Sequence, residues 1–388
     1  MDTRLGLEVF LKDRVDLVAG KRVGLVTNVT GVDGDLVSTV ERLHRHPGVN
    51  LTALFGPEHG MRGEAQDALK VDAYTDALTG LPVYSLYGQT DKPTPDMLRD
   101  VDVLVYDMQD GGVRFYTYIA TLANVMQAAA EAGLPVIVLD RPAPINGVTV
   151  EGPVLDPAYT SFVGPYPIPL RYGMTVGELA RLFNTAFGIG CDLTVVPLAG
   201  WRRALWYDQT GLPFVPPSPN LPTLSALTVY PGTCLIEGTN LSEGRGTTRP
   251  FEYIGAPWVE AEALAAMLND LALPGARFRP VYFVPTFSKH QGALCKGVHL
   301  YVTDRDRFRP VETALHLIAA VKAAYPDHFA WREPWKPGGH YPIDLLSGGN
   351  TVREHLDANR PIPDLAGGWE QGLAAFALLR ADALLYPT

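Results

Sequence analysis

Short apolar runs that alternate with helix-spaced segments constrain the fold of this chain more than any other feature. Six runs rich in Val, Leu and Ile predict buried strands near residues 22–28, 49–55, 81–86, 101–106, 135–139 and 193–198. Helical patterns lie between them at 35–46, 117–132 and 175–187, and a short helix is expected from Thr94, with Pro95 at its first position. Continuous apolar strands separated by helices indicate a parallel sheet covered on both faces.

The order of elements changes after a proline-rich stretch. Residues 213–222 read PFVPPSPNLP, with five prolines in ten residues, and this stretch predicts a domain boundary. Beyond it, strands are predicted near 227–236, 278–284 and 297–303, and helices near 258–270, 311–324 and 368–384. We therefore predict an α/β domain over residues 1–225 and a smaller α+β domain over residues 226–388.

Charge and cysteine content exclude several classes of protein. A net charge of −10 over 388 residues argues against a nucleic-acid partner, because nucleic-acid-binding proteins present a basic surface. Cys191, Cys234 and Cys295 are odd in number and far apart, which predicts neither a disulfide framework nor a zinc site.

The N-terminal segment MDTRLGLEVFLKDR carries charges throughout and lacks the apolar core of a signal peptide. No apolar run approaches the ~20 residues that span a membrane. The protein is therefore expected to be soluble and cytoplasmic, or secreted or periplasmic if a leader has been removed. The sequence leaves open whether the chain forms a homo-oligomer.

Polar and ionisable residues follow four of the predicted strands, at the point where each strand ends. These residues are Asn28; Glu58 and His59; Asp107, Gln109 and Asp110; and Asp140 and Arg141. In an open parallel sheet, ligands bind beyond the carboxyl ends of the strands. The sequence therefore predicts a binding site at this edge.

Several familiar motifs are missing from the chain. Gly238 and Gly244 are separated by five residues and followed by Arg245, so this stretch is not a phosphate-binding P-loop. GxGxxG, HExxH and GxSxG are all absent, which argues against a dinucleotide oxidoreductase, a metal site and a serine hydrolase. No cofactor is expected. Carboxylates, arginines and aromatic residues in shaped loops remain, and these suit the cleavage and binding of sugars.

The longer motifs of the chain resemble the exo-β-N-acetylmuramidase family NamZ. They are GPEHGMRGE, YDMQDGGVRFYTYIAT, LDRPAPINGVTVEGPVLD, YGMTVGELARLFN, PPSPNLPT and IEGTNLSEGRGTTRPFE, and the resemblance runs from about Gly6 to Tyr386. It implies a Rossmann-like N-terminal domain, a smaller C-terminal domain and an active-site cleft between them. It also implies release of N-acetylmuramic acid from the non-reducing ends of peptidoglycan fragments, such as muropeptides or MurNAc-GlcNAc. Tyr172 departs from the family, in which many members carry His.

The resemblance identifies Glu58 as the catalytic carboxylate, which would act as general acid/base, with His59 orienting it or binding a sugar hydroxyl. The second catalytic group stays open. Asp107 is assigned to the catalytic set, while Asp110, Glu237 and Glu243 are further candidates. The 2-acetamido group of the sugar could instead assist its own cleavage, in which case no protein nucleophile is needed.

An arginine fork suits the lactyl carboxylate of N-acetylmuramic acid, and an internal ion pair is the alternative role for each arginine. The candidates are Arg62, Arg114, Arg141 and Arg245. Further predicted substrate contacts are Asn28, Gln109, Tyr116, Asn240 and Ser242, although core packing of Tyr116 and Tyr118 is the more ordinary role. A non-catalytic muropeptide-binding protein on the same fold is the alternative function.

Overall fold

The computed structural model describes residues 3–58, 60–62 and 74–388. Within these ranges the strands are β1 (Arg22–Thr27), β2 (Asn50–Gly56), β3 (Tyr74–Thr75), β4 (Pro82–Ser85), β5 (Val103–Asp107), β6 (Val136–Leu139), β7 (Glu151–Val154), β8 (Pro169–Arg171), β9 (Leu193–Val196), β10 (Tyr253–Ala256), β11 (Ala276–Phe283) and β12 (Cys295–Val302).

The α-helices of the same residues are α1 (Gly6–Asp13), α2 (Thr39–Arg45), α3 (Tyr118–Ala132), α4 (Val176–Thr185), α5 (Leu224–Thr233), α6 (Ala261–Asp270), α7 (Pro310–Ala324), α8 (Pro342–Ser347), α9 (Thr351–Asp357), α10 (Ile362–Gly367) and α11 (Glu370–Ala381). None of these helices combines the length and the apolar character that a membrane crossing requires.

The chain divides into two compact units. Unit 1 contains the described residues of 1–149, together with 172–219 and 377–388, and unit 2 contains 150–171 and 220–376. The domain boundary that the sequence predicts between residues 225 and 226 remains a prediction. Each compact unit also includes a segment from the other side of that boundary.

Unit 1 is built on a seven-stranded sheet with the order β3-β4-β2-β1-β5-β6-β9. All neighbours pair in parallel except the edge strand β3, which runs antiparallel to β4. Helices α1 and α2 cover strand residues such as Leu25 and Val105 with Leu7, Phe10 and Leu43. The predicted α/β sheet is confirmed, and burial of its central strands explains their unbroken apolar sequence.

The strand register brings the carboxyl ends of the central strands together. Thr27 of β1 lies opposite Asp107 of β5, and Val26 lies opposite Phe55 of β2. The loops that begin at residues 28, 57 and 108 therefore leave the sheet side by side. This register positions the candidate site.

Unit 2 contains an antiparallel sheet with the order β10-β12-β11 and a separate hairpin of β7 and β8. Helix α6 packs on β11 and β12, and α5 packs on α7. All three cysteines of the chain are buried free thiols.

The prediction of a strand over residues 227–236 is wrong. This segment forms α5 and a following 3-10 helix over Cys234–Gly238. Thr223 caps α5, because its hydroxyl accepts a hydrogen bond of 3.1 Å from the amide of Ala226. The segment is buried over most of its length, and a fully buried helix has the same continuous apolar sequence as a buried strand.

Two smaller predictions also differ from the structure. The short helix expected from Thr94 is a series of turns. Helix α2 begins only at Thr39, since the Ser38 hydroxyl accepts a hydrogen bond of 3.1 Å from the amide of Glu41 and caps the helix there. An effective cap residue therefore decided where this helix begins.

Candidate active site

Glu58 lies two residues beyond the end of β2 in a turn that two glycines permit. Gly60 has a φ of +75° and donates its amide to the carbonyl of Pro57 at 3.0 Å. A Cβ on Gly56 would stand 2.9 Å from the amide nitrogen of Met61, so the chain folds back closely at this point. The turn presents Glu58, whose side chain is 7% exposed, at the carboxyl edge of the sheet.

Thr117 fixes the orientation of the Glu58 carboxylate. Its hydroxyl donates a hydrogen bond of 2.7 Å to Oε2 of Glu58. Thr117 directly precedes α3, but its side chain makes no capping hydrogen bond to that helix. The Thr117 hydroxyl therefore bonds the Glu58 carboxylate and not the backbone of α3. His59, the predicted partner of Glu58, lies outside the described residues, and its role stays a prediction.

Asp107 and Arg141 form a buried ion pair. Arg141 donates from Nε to Oδ1 of Asp107 at 2.6 Å and from Nη2 to Oδ2 at 2.9 Å, and both side chains are at most 2% exposed. The Thr39 hydroxyl also donates to Asp107, and Arg141 donates to the carbonyl of Val32 at 2.8 Å. These bonds connect the ends of β5 and β6 to the loop after β1. The geometry favours structural roles for both residues.

A hydrogen-bonded network links Asn28 to Gln109. Oδ1 of Asn28 accepts from the amide and the hydroxyl of Thr30 at 3.0 and 2.6 Å, and the same hydroxyl accepts from the amide of Gln109 at 2.8 Å. The Gln109 side chain donates to the carbonyls of Asp110 and Pro142 at 3.1 and 2.9 Å. Asn28 and Gln109 are therefore brought together, as predicted from the strand ends.

Asp110 is another buried carboxyl at the same edge. Its Oδ2 accepts hydrogen bonds from the amide of Gly112 at 2.7 Å and from the hydroxyl of Tyr172. The side chain is 4% exposed, and burial raises the pKa of Asp110 to about 7 against the hydrogen bonds that lower it. A carboxyl with such a pKa changes protonation state near neutral pH.

The segment that follows Asp110 is buried throughout. The Arg114 side chain has no exposed surface, and burial lowers the pKa of Arg114 to about 9. The ring of Tyr116 packs edge-on against that of Tyr118 at 4.8 Å, and the Tyr118 hydroxyl donates to the carbonyl of Pro217 at 2.6 Å. This packing favours core roles for the two tyrosines.

Arg62 is the exposed member of the four candidate arginines. Its side chain is 57% exposed, and Nη2 lies 2.8 Å from Oδ1 of Asp76. The hydrogen bond to Asp76 raises the pKa of Arg62. A guanidinium that remains open to solvent keeps donors available for a ligand.

Unit 2 contains a separate charged cluster in the EGTNLSEGRGT motif. Arg245 lies 2.8 Å from Glu237 and 3.3 Å from Glu243, and its guanidinium stacks over Phe251 at 5.2 Å from the ring centre. Lys289 completes the cluster with Nζ 2.8 Å from Oε2 of Glu243. The structure therefore brings three of the predicted residues of this motif together.

Asn240 and Ser242 of the same motif are occupied with the backbone. The Asn240 amide donates to the carbonyl of His328 at 2.7 Å and accepts from the amide of Ala330 at 3.1 Å. The Ser242 hydroxyl accepts from the amide of Gly244 at 3.1 Å. Both contacts shape loops, so the geometry gives no support to the predicted ligand contacts of these two residues.

Sequence reasoning missed Thr117 and Lys289 as site residues. Thr117 shows only the signal of a hydroxyl at the start of a predicted helix, which normally indicates a cap. Lys289 is more than forty residues from the motif it completes, and its neighbours in the sequence give no signal. Tyr172 stood out only as a departure from the family pattern. No group of three or more potential metal ligands lies close together within the described ranges.

An open, mostly parallel sheet with several buried carboxyls at its carboxyl edge, among them Glu58, Asp107 and Asp110, defines this protein as a Rossmann-like α/β protein with an acidic site beyond the strands. The chain belongs to the exo-beta-N-acetylmuramidase NamZ family. The model of the family's N-terminal part matches residues 23–225, and the model of its C-terminal part matches residues 228–386.

Individual relatives agree with this assignment. The peptidoglycan beta-N-acetylmuramidase NamZ of Bacillus subtilis (strain 168) is 51% identical over 381 residues, which cover 98% of this chain and 91% of the relative. A DUF1343 family protein of Bacteroides fragilis NCTC 9343, BF0371, has a crystal structure that matches with a TM-score of 0.91 and 41% identity, covering 99% of both chains. A second such protein, BF0379, matches with a TM-score of 0.75 and 30% identity over 100% of this chain and 99% of the other.

Proposed function

We propose that this protein is an exo-β-N-acetylmuramidase that releases N-acetylmuramic acid from the non-reducing ends of peptidoglycan fragments, with Glu58 as its general acid/base. The observation that carries the proposal is the buried Glu58 carboxylate, held by Thr117 at 2.7 Å on the carboxyl edge of the sheet. The family and the 51% identical muramidase support the substrate class.

The chemistry assigns Glu58 two successive tasks. As an acid it donates its proton to the glycosidic oxygen while the bond to the anomeric carbon breaks. The resulting carboxylate then takes a proton from the water that completes hydrolysis. The hydrogen bond from Thr117 holds the carboxyl in one orientation during both steps, and such positioning contributes directly to the rate.

Arg62 is the arginine that we assign to the lactyl carboxylate of the substrate. Arg141 is committed to Asp107, and Arg245 is held between two glutamates. Arg62 belongs to the same loop as Glu58 and is the most exposed of these three. A fork of guanidinium donors recognises a carboxylate in two hydrogen bonds, which a lysine cannot reproduce.

Release of free N-acetylmuramic acid tests the proposal. The substrates are MurNAc-β-1,4-GlcNAc and a chromogenic β-muramide, with the matching β-GlcNAc glycoside as a specificity control. We expect the wild-type protein to act on the muramides alone and Glu58→Gln to lower kcat by about 10²–10⁴-fold. The variant keeps the acceptor oxygen for Thr117, so it should fold normally. Glu151→Gln, which removes an equally buried carboxyl in unit 2, is the matched control.

The outcomes separate the candidate functions. Equal rates for wild type and Glu58→Gln would keep the activity and remove Glu58 from it. Binding of N-acetylmuramic acid by a wild-type protein that releases none would favour the non-catalytic muropeptide-binding protein instead.

A further inference from the structure

Two neighbouring residues of the candidate site carry buried acceptor atoms that no described residue satisfies. Oδ1 of Asp110 and Oε1 of Gln109 have no hydrogen-bond partner among residues 3–58, 60–62 and 74–388. Both side chains are at least 96% buried. A buried acceptor without a donor costs free energy, so its presence in a functional region points to a donor that a ligand supplies.

We propose that Asp110 is a second catalytic residue, whose Oδ1 accepts the N–H of the 2-acetamido group of the bound sugar and orients that group for attack on the anomeric carbon. This inference rests on the proposed function, because the acetamido group belongs to the proposed substrate. It defines the reaction as substrate-assisted, with the nucleophile supplied by the sugar.

Asp110 and Glu58 belong to the same small region of unit 1. The segment that begins with Asp110 ends with Thr117, which holds Glu58 at 2.7 Å. The next residue, Tyr118, lies within electrostatic range of both carboxyls. Burial is the main cause that raises the pKa of Tyr118, and the charges of Glu58 and Asp110 raise it further. Both carboxyls therefore contribute to the electrostatic surroundings of the same phenol.

Tyr172 is the positioning residue of Asp110. Its ring is fully buried, and its hydroxyl donates to Oδ2 together with the amide of Gly112. Gly112 has a φ of +78°, and a Cβ there would stand 2.9 Å from the side chain of Ile145, so this close turn requires glycine. Two donors on Oδ2 fix the plane of the carboxylate, and the amide of Gly111 also lowers the pKa of Asp110, while Oδ1 has no partner of hydrogen-bonding geometry among the described residues.

Asp107, another buried carboxyl at this edge, is unsuitable for the same task. Both of its oxygens accept from Arg141, and one also accepts from Thr39. A carboxylate held in this way has little capacity left for a new donor. Asp110 therefore takes the role for which the sequence left several candidates.

The proposed step needs only the sugar, Glu58 and a water molecule as reacting groups. The acetamido carbonyl oxygen forms a bond to the anomeric carbon while the glycosidic bond breaks, and the leaving oxygen takes the proton of Glu58. The sugar becomes a cyclic oxazolinium ion whose N–H bears positive charge and bonds to the Asp110 carboxylate. Water then attacks the anomeric carbon and gives a proton to Glu58, and the ring opens to restore the acetamido group.

The environment of Asp110 suits this step because charge develops beside it only during the reaction. Burial raises the pKa of Asp110 to about 7, so this carboxyl loses its proton less readily than an exposed aspartic acid does. The cationic nitrogen of the intermediate favours the ionised carboxylate. The interaction is therefore stronger in the transition state than with the neutral substrate, which is the condition for faster chemistry.

The first test compares chromogenic β-muramides that carry N-acetyl or N-trifluoroacetyl groups. Fluorine weakens the carbonyl oxygen as a nucleophile, so wild-type kcat/KM should fall about tenfold or more on the fluorinated substrate. The N-acetylmuramic acid released first should be the β-anomer, since two displacements at the anomeric carbon retain its configuration. Asp110→Asn should lower kcat by about 10²–10³-fold, because it places a donor where the acetamido N–H needs an acceptor.

A second readout distinguishes catalysis from a structural role. The thiazoline analogue of N-acetylmuramic acid mimics the cyclic intermediate. Asp110→Asn should weaken its inhibition about tenfold more than it weakens inhibition by free N-acetylmuramic acid. Tyr172→Phe should lower kcat about tenfold with little change in KM. Glu151→Gln should leave all of these quantities unchanged.

Three results would overturn the inference. The first is an equal wild-type kcat/KM on the N-acetyl and N-trifluoroacetyl substrates, and the second is an α-anomer as first product. The third is an Asp110→Asn kcat within about threefold of wild type. Failure of the wild-type protein to release any N-acetylmuramic acid would overturn the proposed function as well. Release by wild type with an unaffected Asp110→Asn variant would overturn this inference alone.

Discussion

Individual side chains of this protein differ in whether their polar groups are already satisfied by the fold. Asp107 and Arg141 bond to each other, and Asn240 bonds to backbone at both ends of its amide. Glu58 is held through Thr117, and Asp110 keeps one oxygen without a described partner. Residue type and position could predict that these side chains gather at the strand ends. Only their contacts separate structural pairs from groups available to a ligand.

The hydrogen bond from Thr117 to Glu58 can be tested by substitution. Thr117→Val keeps the shape of the side chain but removes the donor to Glu58. A hydrogen bond to a charged group is worth about 1.5–3 kcal/mol, so kcat on a β-muramide should fall about tenfold to a hundredfold. Thr117→Ser, which keeps the hydroxyl, should retain most of the activity.

Helix stability cannot explain that loss, because the Thr117 side chain makes no capping hydrogen bond to α3. The thermal midpoint of Thr117→Val should therefore stay close to that of wild type. A variant that loses activity only in proportion to its stability would argue against a role for Thr117 in holding Glu58.

The central strands of unit 1 follow their sequence patterns closely, whereas α5 of unit 2 does not. The parallel strands are short and bounded by turn residues, so their apolar runs predict them directly. The continuous apolar sequence of residues 227–236 is compatible with a strand and with a buried helix. The Thr223 cap favours the helix. The ambiguity has a physical basis, because an element that is buried on all sides shows no periodicity.

Helix α7 of unit 2 has a buried carboxylate at its N-terminus. Oε1 of Glu151 accepts from the amides of Val311 and Glu312 at 3.0 and 3.1 Å. Burial raises the pKa of Glu151 to about 7, despite these bonds and the charge of Arg171. The folded state therefore binds a proton more tightly than the unfolded chain does.

This shift predicts a pH-dependent stability. The contribution of Glu151 to the free energy of unfolding is fully present below the pKa of the unfolded chain, and it is lost as pH rises through about 7. Glu151→Gln cannot ionise, so relative to wild type it should gain free energy of unfolding between pH 5 and pH 8, on the order of 3 kcal/mol at most. Urea unfolding at both pH values measures the difference. An equal offset at the two pH values would contradict the assignment.

At the scale of the whole molecule, the last residues of the chain complete the core of unit 1. The Tyr386 hydroxyl donates to Asp140 and accepts from the amide of Leu198 at 2.9 Å. The amide of Leu385 donates to Glu178 at 2.8 Å, and the carbonyl of Pro387 accepts from the amide of Arg203 at 3.0 Å. Unit 1 is thus assembled from segments far apart in the chain.

Tyr386→Phe tests this closure. The change removes a donor to Asp140 and an acceptor for Leu198 in a mostly buried setting, so the free energy of unfolding should fall by about 1–3 kcal/mol. Chemical denaturation followed by tryptophan fluorescence would report it. Tyr282→Phe, at an exposed tyrosine of β11, is the control and should leave the unfolding midpoint unchanged.

The amino-acid sequence was sufficient to predict the parallel α/β sheet, the set of polar residues beyond its strands and the family of the protein. Each of these depends on local patterns: apolar runs, turn residues and contiguous motifs. Contacts made only in the folded chain set the rest: Arg141 neutralises Asp107, Thr117 holds Glu58, and Tyr172 bonds one oxygen of Asp110. These contacts join residues 34 to 62 positions apart, and only the register of the folded sheet and its loops sets such distances.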